Sequence, residues 1–516
     1  MKLQSRRDFI KYAGIGVAGS TLFPSLGKTA QSVFKDLGKE GKGRPNVVFV
    51  LADDMRWDVM SCAGNSVLKT PALDRLATGG TRFQNAFVTT SICAVSRACI
   101  LTGQHACRHG VNDFRTPLRS LDGVYPTVLR QNGYYTGFIG KWGINENDRA
   151  YYQRCAREYD FWAGDMEQAA YWHDRDCNYI RNNGTTERAN FFCSCPQAAQ
   201  ARNGCDKNKG PHPSLKNPIH ETEFAPGKVR SFLDQRDTAK PFCLAVSLKS
   251  PHGPWCGYAP RFEKDFNSVD IPMRGNVALA EALRQPEFLR KSLESEHGLE
   301  LMKNPSRRNA LLRQYYRLIE GIDFCMGEIQ KELQQRGLAD NTVLIFSSDN
   351  GHFATEHGFW GKWFMHEESL RVPLLIYDPR APVANRGQTL DAMALNIDIA
   401  PTILDLAGLP APAAMQGQSL LPVMCKPDAP LRDAFFYQHL YANSPKPPKH
   451  IEPSEGVRTR DWKYMHWLGQ AGPASEELYD LRADSLETKN LATDPAYAAQ
   501  LDELRKQCQM FKRELK

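Results

Sequence analysis

The chain reads as an α/β protein: a large, mostly parallel sheet between helical layers, followed by a smaller C-terminal α+β domain. Three observations carry that reading. Short apolar runs without clean alternation end in polar or charged residues, as strands buried on both faces do. Helical repeats lie between them, and near residue 430 this rhythm gives way to closely spaced short strands. With 516 residues, 42% apolar and 24% charged, the chain is long enough for more than one domain, and disorder or a collagen-like repeat is excluded.

In chain order, the strand at 46–51 (NVVFVL) runs into Ala52-Asp53-Asp54, and 134–139 (YYTGFI) into Gly140-Lys141. The runs 241–248 (PFCLAVSL) and 342–346 (TVLIF) lead to Lys249 and to Ser347-Ser348-Asp349-Asn350. The clearest helix spans 308–336, where Leu311, Leu312, Tyr315, Leu318, Ile319, Ile322, Met326, Ile329 and Leu333 recur at three and four, with Gly337 as its C-cap. The segment 145–223 breaks the rhythm and reads as a long excursion over one face. It holds Cys177, Cys193, Cys195 and Cys205, a disulfide-stapled loop in first reading and a zinc site in the alternative. A helix over 398–409 stops at Gly408, and 410–430 is a Pro- and Ala-rich linker. Short strands at 434–437, 456–467 and 477–481, with a helix at about 495–514, complete the second domain. The domains are therefore 1–30 as a leader, 44–410 as the catalytic domain and 431–516 as the C-terminal α+β subdomain.

The leader accounts for most of the net charge of +7. Residues 1–30 hold Lys2, Arg6, Arg7, Lys11 and Lys28 against Asp8, so the remaining 486 carry only +3, which gives no support for nucleic-acid binding. Arg6-Arg7 before a modest, glycine-broken apolar run resembles a twin-arginine export signal and is a poor membrane span. The expectation is periplasmic location through the twin-arginine machinery, without stable membrane insertion after cleavage. Fourteen cysteines are more understandable in an oxidising compartment than in the cytosol.

Polar groups follow the carboxyl ends of the strands, the edge where open α/β sheets bind ligands. Asp53, Asp54, Asp349 and Asn350 converge there as hard oxygen donors suited to Ca²⁺ or Mg²⁺. Cys93, where a loop enters a helix with Arg97 one turn on, stands where a tetrahedral oxyanion is favoured. His105 and His109, four apart, read as structural hydrogen-bonding groups rather than metal ligands.

These motifs resemble the type I, formylglycine-dependent sulfatases of the alkaline-phosphatase-like superfamily. The likeness runs from about Arg44 to Asn490. It includes Val50–Asp54, Cys93 to Gly103 with its C-x-x-x-R box, Gly140-Lys141-Trp142, Lys249-Ser250-Pro251-His252, Ser348-Asp349-Asn350-Gly351, Gly361-Lys362, Glu367–Pro373, Glu455–Thr459 and Glu477–Leu481. The resemblance implies that a maturation enzyme oxidises Cys93 to formylglycine, whose hydrated aldehyde attacks sulfur. It implies Ca²⁺ held by Asp53, Asp54, Asp349 and Asn350 against residue 93 itself. It implies charge stabilisation by Arg97, Lys141 and Lys362, with His252 as acid for the leaving alcohol. Two positions depart from the family pattern. Val95 stands where Pro or Ala is usual in the box the maturation enzyme reads, and Gly143 stands where many members carry a His that helps bind or deprotonate the diol. His352 and His357 are candidate replacements.

The expected activity is hydrolysis of sulfate from a sulfated carbohydrate, with 145–223 and the stretch around His450 and Trp462 offered as a sugar subsite. The alternatives are a phosphoesterase of the same fold, which Cys93 argues against, and a weak or inactive sulfated-glycan-binding homologue, which Val95 and Gly143 keep open.

Overall fold

The computed structural model describes residues 43–145, 148–165, 169–175, 181–182, 215–272, 278–444 and 450–515. The leader and Cys177, Cys193, Cys195 and Cys205 lie outside these residues, and the described cysteines are free thiols.

The central sheet takes β1 (Asn46–Ala52), β2 (Thr81–Phe87), β3 (Tyr135–Lys141), β4 (Phe161–Asp165), β5 (Arg181–Asn182), β6 (Phe242–Ser247), β7 (Thr342–Ser348), β8 (Leu374–Tyr377) and β9 (Gln388–Leu395) in the order β9-β2-β8-β7-β1-β6-β3-β4-β5. β8 and the edge strand β5 run antiparallel to their neighbours, and the other pairings are parallel. The apolar side chains of β1 and β7 are at most 5% exposed, which is why these runs show no alternation: helices cover both faces. Each fully buried Val or Leu contributes about 1.5–3 kcal/mol relative to exposure.

The helices that matter for the site are α1 (Pro71–Gly79), α2 (Cys93–Thr102), α3 (Glu221–Gln235), α4 (Leu293–Lys303), α5 (Pro305–Gln335), α6 (Ile399–Leu406) and α7 (Ala498–Glu514). In α5 the buried stripe includes Leu312, Tyr315, Leu318, Ile319, Ile322, Met326, Ile329 and Leu333, as the periodicity requires. The segment 145–223 is less of an excursion than its composition indicates. It contributes a helix at Arg149–Arg157 and the strand β4, which joins the central sheet beside β3.

Beyond the linker, β10 (Ala434–His439), β11 (Ser454–Thr459), β12 (Trp462–Trp467) and β13 (Glu476–Asp480) form an antiparallel meander. Leu501, Leu504 and Cys508 of α7 cover one face against Phe436, Val457, Tyr464 and Leu478. The meander is joined to the loop before α2. Gln438 N donates to Thr89 O at 3.1 Å, Thr90 Oγ1 donates to Gln438 O at 2.6 Å, and Ser91 N donates to the Tyr437 hydroxyl at 3.3 Å. Residues Arg44–Lys516 accordingly make one compact unit.

Candidate active site

The site forms because adjacent parallel strands end at one level. Past β1, Asp53 N donates to Ser250 O, and past β7, Asp349 N donates to Ala52 O, each at 3.1 Å, so the two acidic turns leave the sheet together. Asp54 turns aside with φ +66°. Its amide donates to Asp349 Oδ1 at 3.2 Å, and its carboxylate accepts from Asn350 Nδ2 at 2.5 Å. Tyr315, from α5, donates its hydroxyl to Asp54 O at 2.7 Å.

Cys93 is the first residue of the fully buried α2, so its side chain meets the positive end of a helix. Lys362 Nζ donates to Cys93 Sγ at 2.8 Å and also bonds Asp54 Oδ1. Lys141, at the end of β3, bonds Asp53. Arg97 spans the floor: its Nε donates to Asp349 Oδ2 at 2.8 Å, and Nη1 donates to Lys141 O at 2.9 Å and Ser247 Oγ at 2.5 Å. His252 Nδ1 lies 2.8 Å from Gly253 O, which fixes the donor on that nitrogen and turns Nε2 toward Asp54, 3.6 Å away.

These groups set one another's charge. Burial raises the proton affinity of Asp53, but Lys141, His252, Arg97 and Lys362 outweigh it and hold the carboxyl well below the usual carboxylate range. Burial and the nearby Asp53 charge push Asp349 up to about 7. The Cys93 thiol is pushed up to about 12 by burial, against the pull of Lys362. Burial lowers His252 to about 4 despite Asp54 and Asp53.

The donor set fits a hard divalent cation. Asp53 Oδ1 and Asn350 Oδ1 are buried with no hydrogen-bond partner among the described residues, in a site whose chemistry is carboxylate and amide oxygen. Ligand atoms of Asp53, Asp54, Cys93 and His252 all lie within 4.8 Å of one another.

The structure thus brings together Asp53, Asp54, Cys93, Arg97, Lys141, His252, Asp349, Asn350 and Lys362. His105 and His109 stay apart as structural groups, with His109 Nε2 at 3.3 Å from Cys99 Sγ and Nδ1 accepting from Val111 N. His357 is 3.6 Å from Glu368 in a separate buried cluster, so it does not replace the missing imidazole. His352 packs among Trp255, Tyr315 and Trp360. At Gly143 (φ +71°) a Cβ would meet Arg97 Cδ at 2.9 Å, so Arg97 occupies the space of a side chain there. Trp462 packs on Tyr497 against the C-terminal core, and His450 bonds Ser444 O and Glu452. Supporting residues escape sequence reasoning: Ser247, which holds Arg97, and Glu221, whose carboxylate accepts from Lys249 N and Ser250 N and anchors the loop to His252. Tyr315 is indistinguishable from the apolar stripe around it.

A family model described as Sulfatase matches residues 45–409. The chain belongs to the sulfatase family and is a sulfuric ester hydrolase. A second model, described as N-sulphoglucosamine sulphohydrolase, C-terminal, matches residues 355–514. The chain is 28% identical to an N-acetylglucosamine-6-O-sulfatase of Bacteroides thetaiotaomicron, over 94% of its own length and 89% of the relative's. It is also 28% identical to an arylsulfatase of Clostridium perfringens, over 90% and 93%. A solved structure described as a complex with its substrate D-glucosamine-2-N,6-O-disulfate superposes with a TM-score of 0.72 at 27% identity, covering 92% of this chain and 98% of that one. The fold is shared more widely, with a phosphonate monoester hydrolase of Agrobacterium radiobacter at a TM-score of 0.68 and 22% identity. The relatives named as sulfatases favour the sulfatase reading over the phosphoesterase and non-catalytic ones.

Proposed function

We propose that this sulfatase is exported by its twin-arginine leader to the periplasm. There it removes sulfate from a sulfated carbohydrate, with Cys93 converted to formylglycine and calcium held by Asp53, Asp54, Asp349 and Asn350. The observation that carries the proposal is the setting of Cys93: a helix N-terminus, a lysine ammonium at 2.8 Å, and a floor of carboxylates and cations. A thiol held near 12 is a poor nucleophile in such a place, whereas a residue converted to another nucleophile suits it. The carbohydrate reading draws on the relatives' names and on the ligand of the similar structure.

When present, calcium and formylglycine supply cationic charge beside the sulfate and a hydroxyl nucleophile at position 93. The chain's own residues do the rest. Lys362 and Lys141 bring ammonium groups to Asp54 and Asp53 respectively, where they neutralise the charge of a transferring sulfuryl group. Arg97 holds Asp349 and the Lys141 carbonyl in position and is itself held by Ser247. His252, with Nδ1 donating to Gly253 O, turns Nε2 toward Asp54; it would deliver a proton from Nε2 to the departing alcohol oxygen only as imidazolium, a form that the negative charge of a bound sulfate ester favours against the burial that disfavours it. Burial of Cys93, Asp53, Asp349 and Asn350 keeps bulk water from screening these charges.

Mass spectrometry of the peptide carrying residue 93, from protein co-expressed with a maturation enzyme, tests the modification. The expected product is the aldehyde, and an unmodified thiol in active protein would falsify it. Sulfate release should be lost on chelation and restored by calcium; full activity without divalent metal would remove the four oxygen ligands from the mechanism. Replacing Arg6 and Arg7 by Lys should abolish periplasmic accumulation if the leader acts as proposed.

A further inference from the structure

Phe114, Trp363 and Tyr441 come from three distant parts of the chain and meet as one partly exposed aromatic cluster. Trp363 and Tyr441 stack with centroids 5.4 Å apart and planes at 26°; Phe114 stands edge-on to both, at 5.9 and 5.3 Å. A cluster of this kind is ordinarily driven fully into a core, yet all three rings keep surface, and the neighbouring Leu440 is 41% exposed.

Its position is tied to the sulfate pocket. Trp363 directly follows Lys362, whose Nζ touches Cys93 Sγ and lies 6.0 Å from the Trp363 ring centroid. Tyr441 follows β10, the strand bonded to the loop that delivers Cys93. The ring is held there deliberately. Trp363 takes φ +87°, a left-handed conformation costly for a large side chain, and its carbonyl accepts from the Tyr437 hydroxyl. Its side chain lies beside the buried carboxylate of Glu294, at the start of α4.

We infer that Trp363, Tyr441 and Phe114 form a wall that takes the apolar face of the pyranose ring whose sulfate ester occupies the Cys93 pocket, and so select a cyclic sugar sulfate over an acyclic one. This inference rests on the sulfated-carbohydrate reading above and adds the residues that read the sugar. Only an ester oxygen and at most an exocyclic carbon separate the transferred sulfur from a pyranose ring, so the sugar lies within reach of the residues that flank the pocket, and Trp363, next to Lys362, is one of them. Axial C–H groups of a pyranose match the face of an indole or phenol, and Lys362 beside the wall matches the sulfate. The alternative, packing that merely stabilises the junction of the two sheets, predicts no preference among sulfate esters.

The test compares kcat/KM for the best substrate of a panel of sulfated monosaccharides with that for ethyl sulfate, in the calcium-loaded, matured full chain. Tyr441→Ala should lower the sugar-to-ethyl ratio about tenfold, through KM for the sugar; Trp363→Ala should lower it further, and Trp363→Phe should restore most of it. A ratio unchanged in both alanine variants, whether or not the two rates fall together, overturns the wall. Should either tryptophan variant fail to fold, Tyr441→Ala decides alone. Wild-type protein that cleaves ethyl sulfate but no sugar sulfate refutes the carbohydrate reading itself. If wild type cleaves nothing, calorimetric binding of N-acetylglucosamine 6-sulfate decides: affinity weakened about tenfold in Tyr441→Ala supports the wall, and equal affinity or no binding sinks it.

Discussion

Among single residues, Lys362 and Gly143 make opposite demands. Lys362 is buried, bonded to Asp54 and Cys93, and has its charge reinforced by both against the cost of burial. Truncation to Ala removes a preorganised cation, and kcat should fall by about 10²–10³ with the fold intact by circular dichroism. Gly143 invites the opposite experiment, placing there the histidine that the family resemblance leads one to expect. The structure says this fails: a Cβ there meets Arg97 at 2.9 Å, and φ +71° strains any side chain by about 1–2 kcal/mol. Gly143→His should therefore lower kcat by displacing Arg97 from Asp349, and a gain in turnover would show that the pocket can reopen. From sequence the glycine reads only as a missing imidazole, because a φ angle and a neighbour's position are tertiary facts.

The long helix α5 shows what periodicity reveals and what it hides. Its apolar stripe was legible in the spacing of Leu312 to Leu333, since burial along a helix recurs every three or four residues. Two polar residues on that helix carry roles the pattern cannot show. Tyr315 supports the Asp54 turn, and Asp323 accepts from Ala72 N and Leu73 N, capping α1 from another element. Asp323→Ala should cost about 1–2 kcal/mol in denaturant unfolding, with kcat unchanged. Strands β2, β4, β8 and β9 were harder to read than β1 or β7. Thr81–Phe87 mixes Thr, Arg, Gln and Asn with its apolar residues, and sheet partners rather than local composition make it a strand.

At the scale of the whole molecule, the join between the two sheets is a buried ionic network. Lys463 lies between Glu367 and Glu487, Arg458 reaches Glu367, and Glu367 N donates to Glu487. Burial, with Glu367 and Glu368 nearby, pushes Glu487 up to about 7 despite Lys463. A carboxyl raised above its unfolded value stabilises the fold fully below about pH 4.3 and loses that contribution as pH rises through about 7. The melting temperature of Glu487→Gln relative to wild type should thus improve between pH 5 and pH 8; a difference independent of pH would show that Glu487 stays ionised. The sequence by itself determined the α/β class, the order of its clearest strands and helices, the acidic turns after β1 and β7, and the family to which the Cys93 box and its companions point. Each of these is written in local pattern, because burial on both strand faces, helical spacing and short motifs need no knowledge of distant neighbours. Only the tertiary structure decided that Arg97 fills the space beside Gly143, that Trp462 packs against the C-terminal core, and that Phe114, Trp363 and Tyr441 share one wall beside Lys362. Those outcomes depend on which side chains meet across hundreds of residues, and that is set by sheet order and packing, which no stretch of sequence encodes alone.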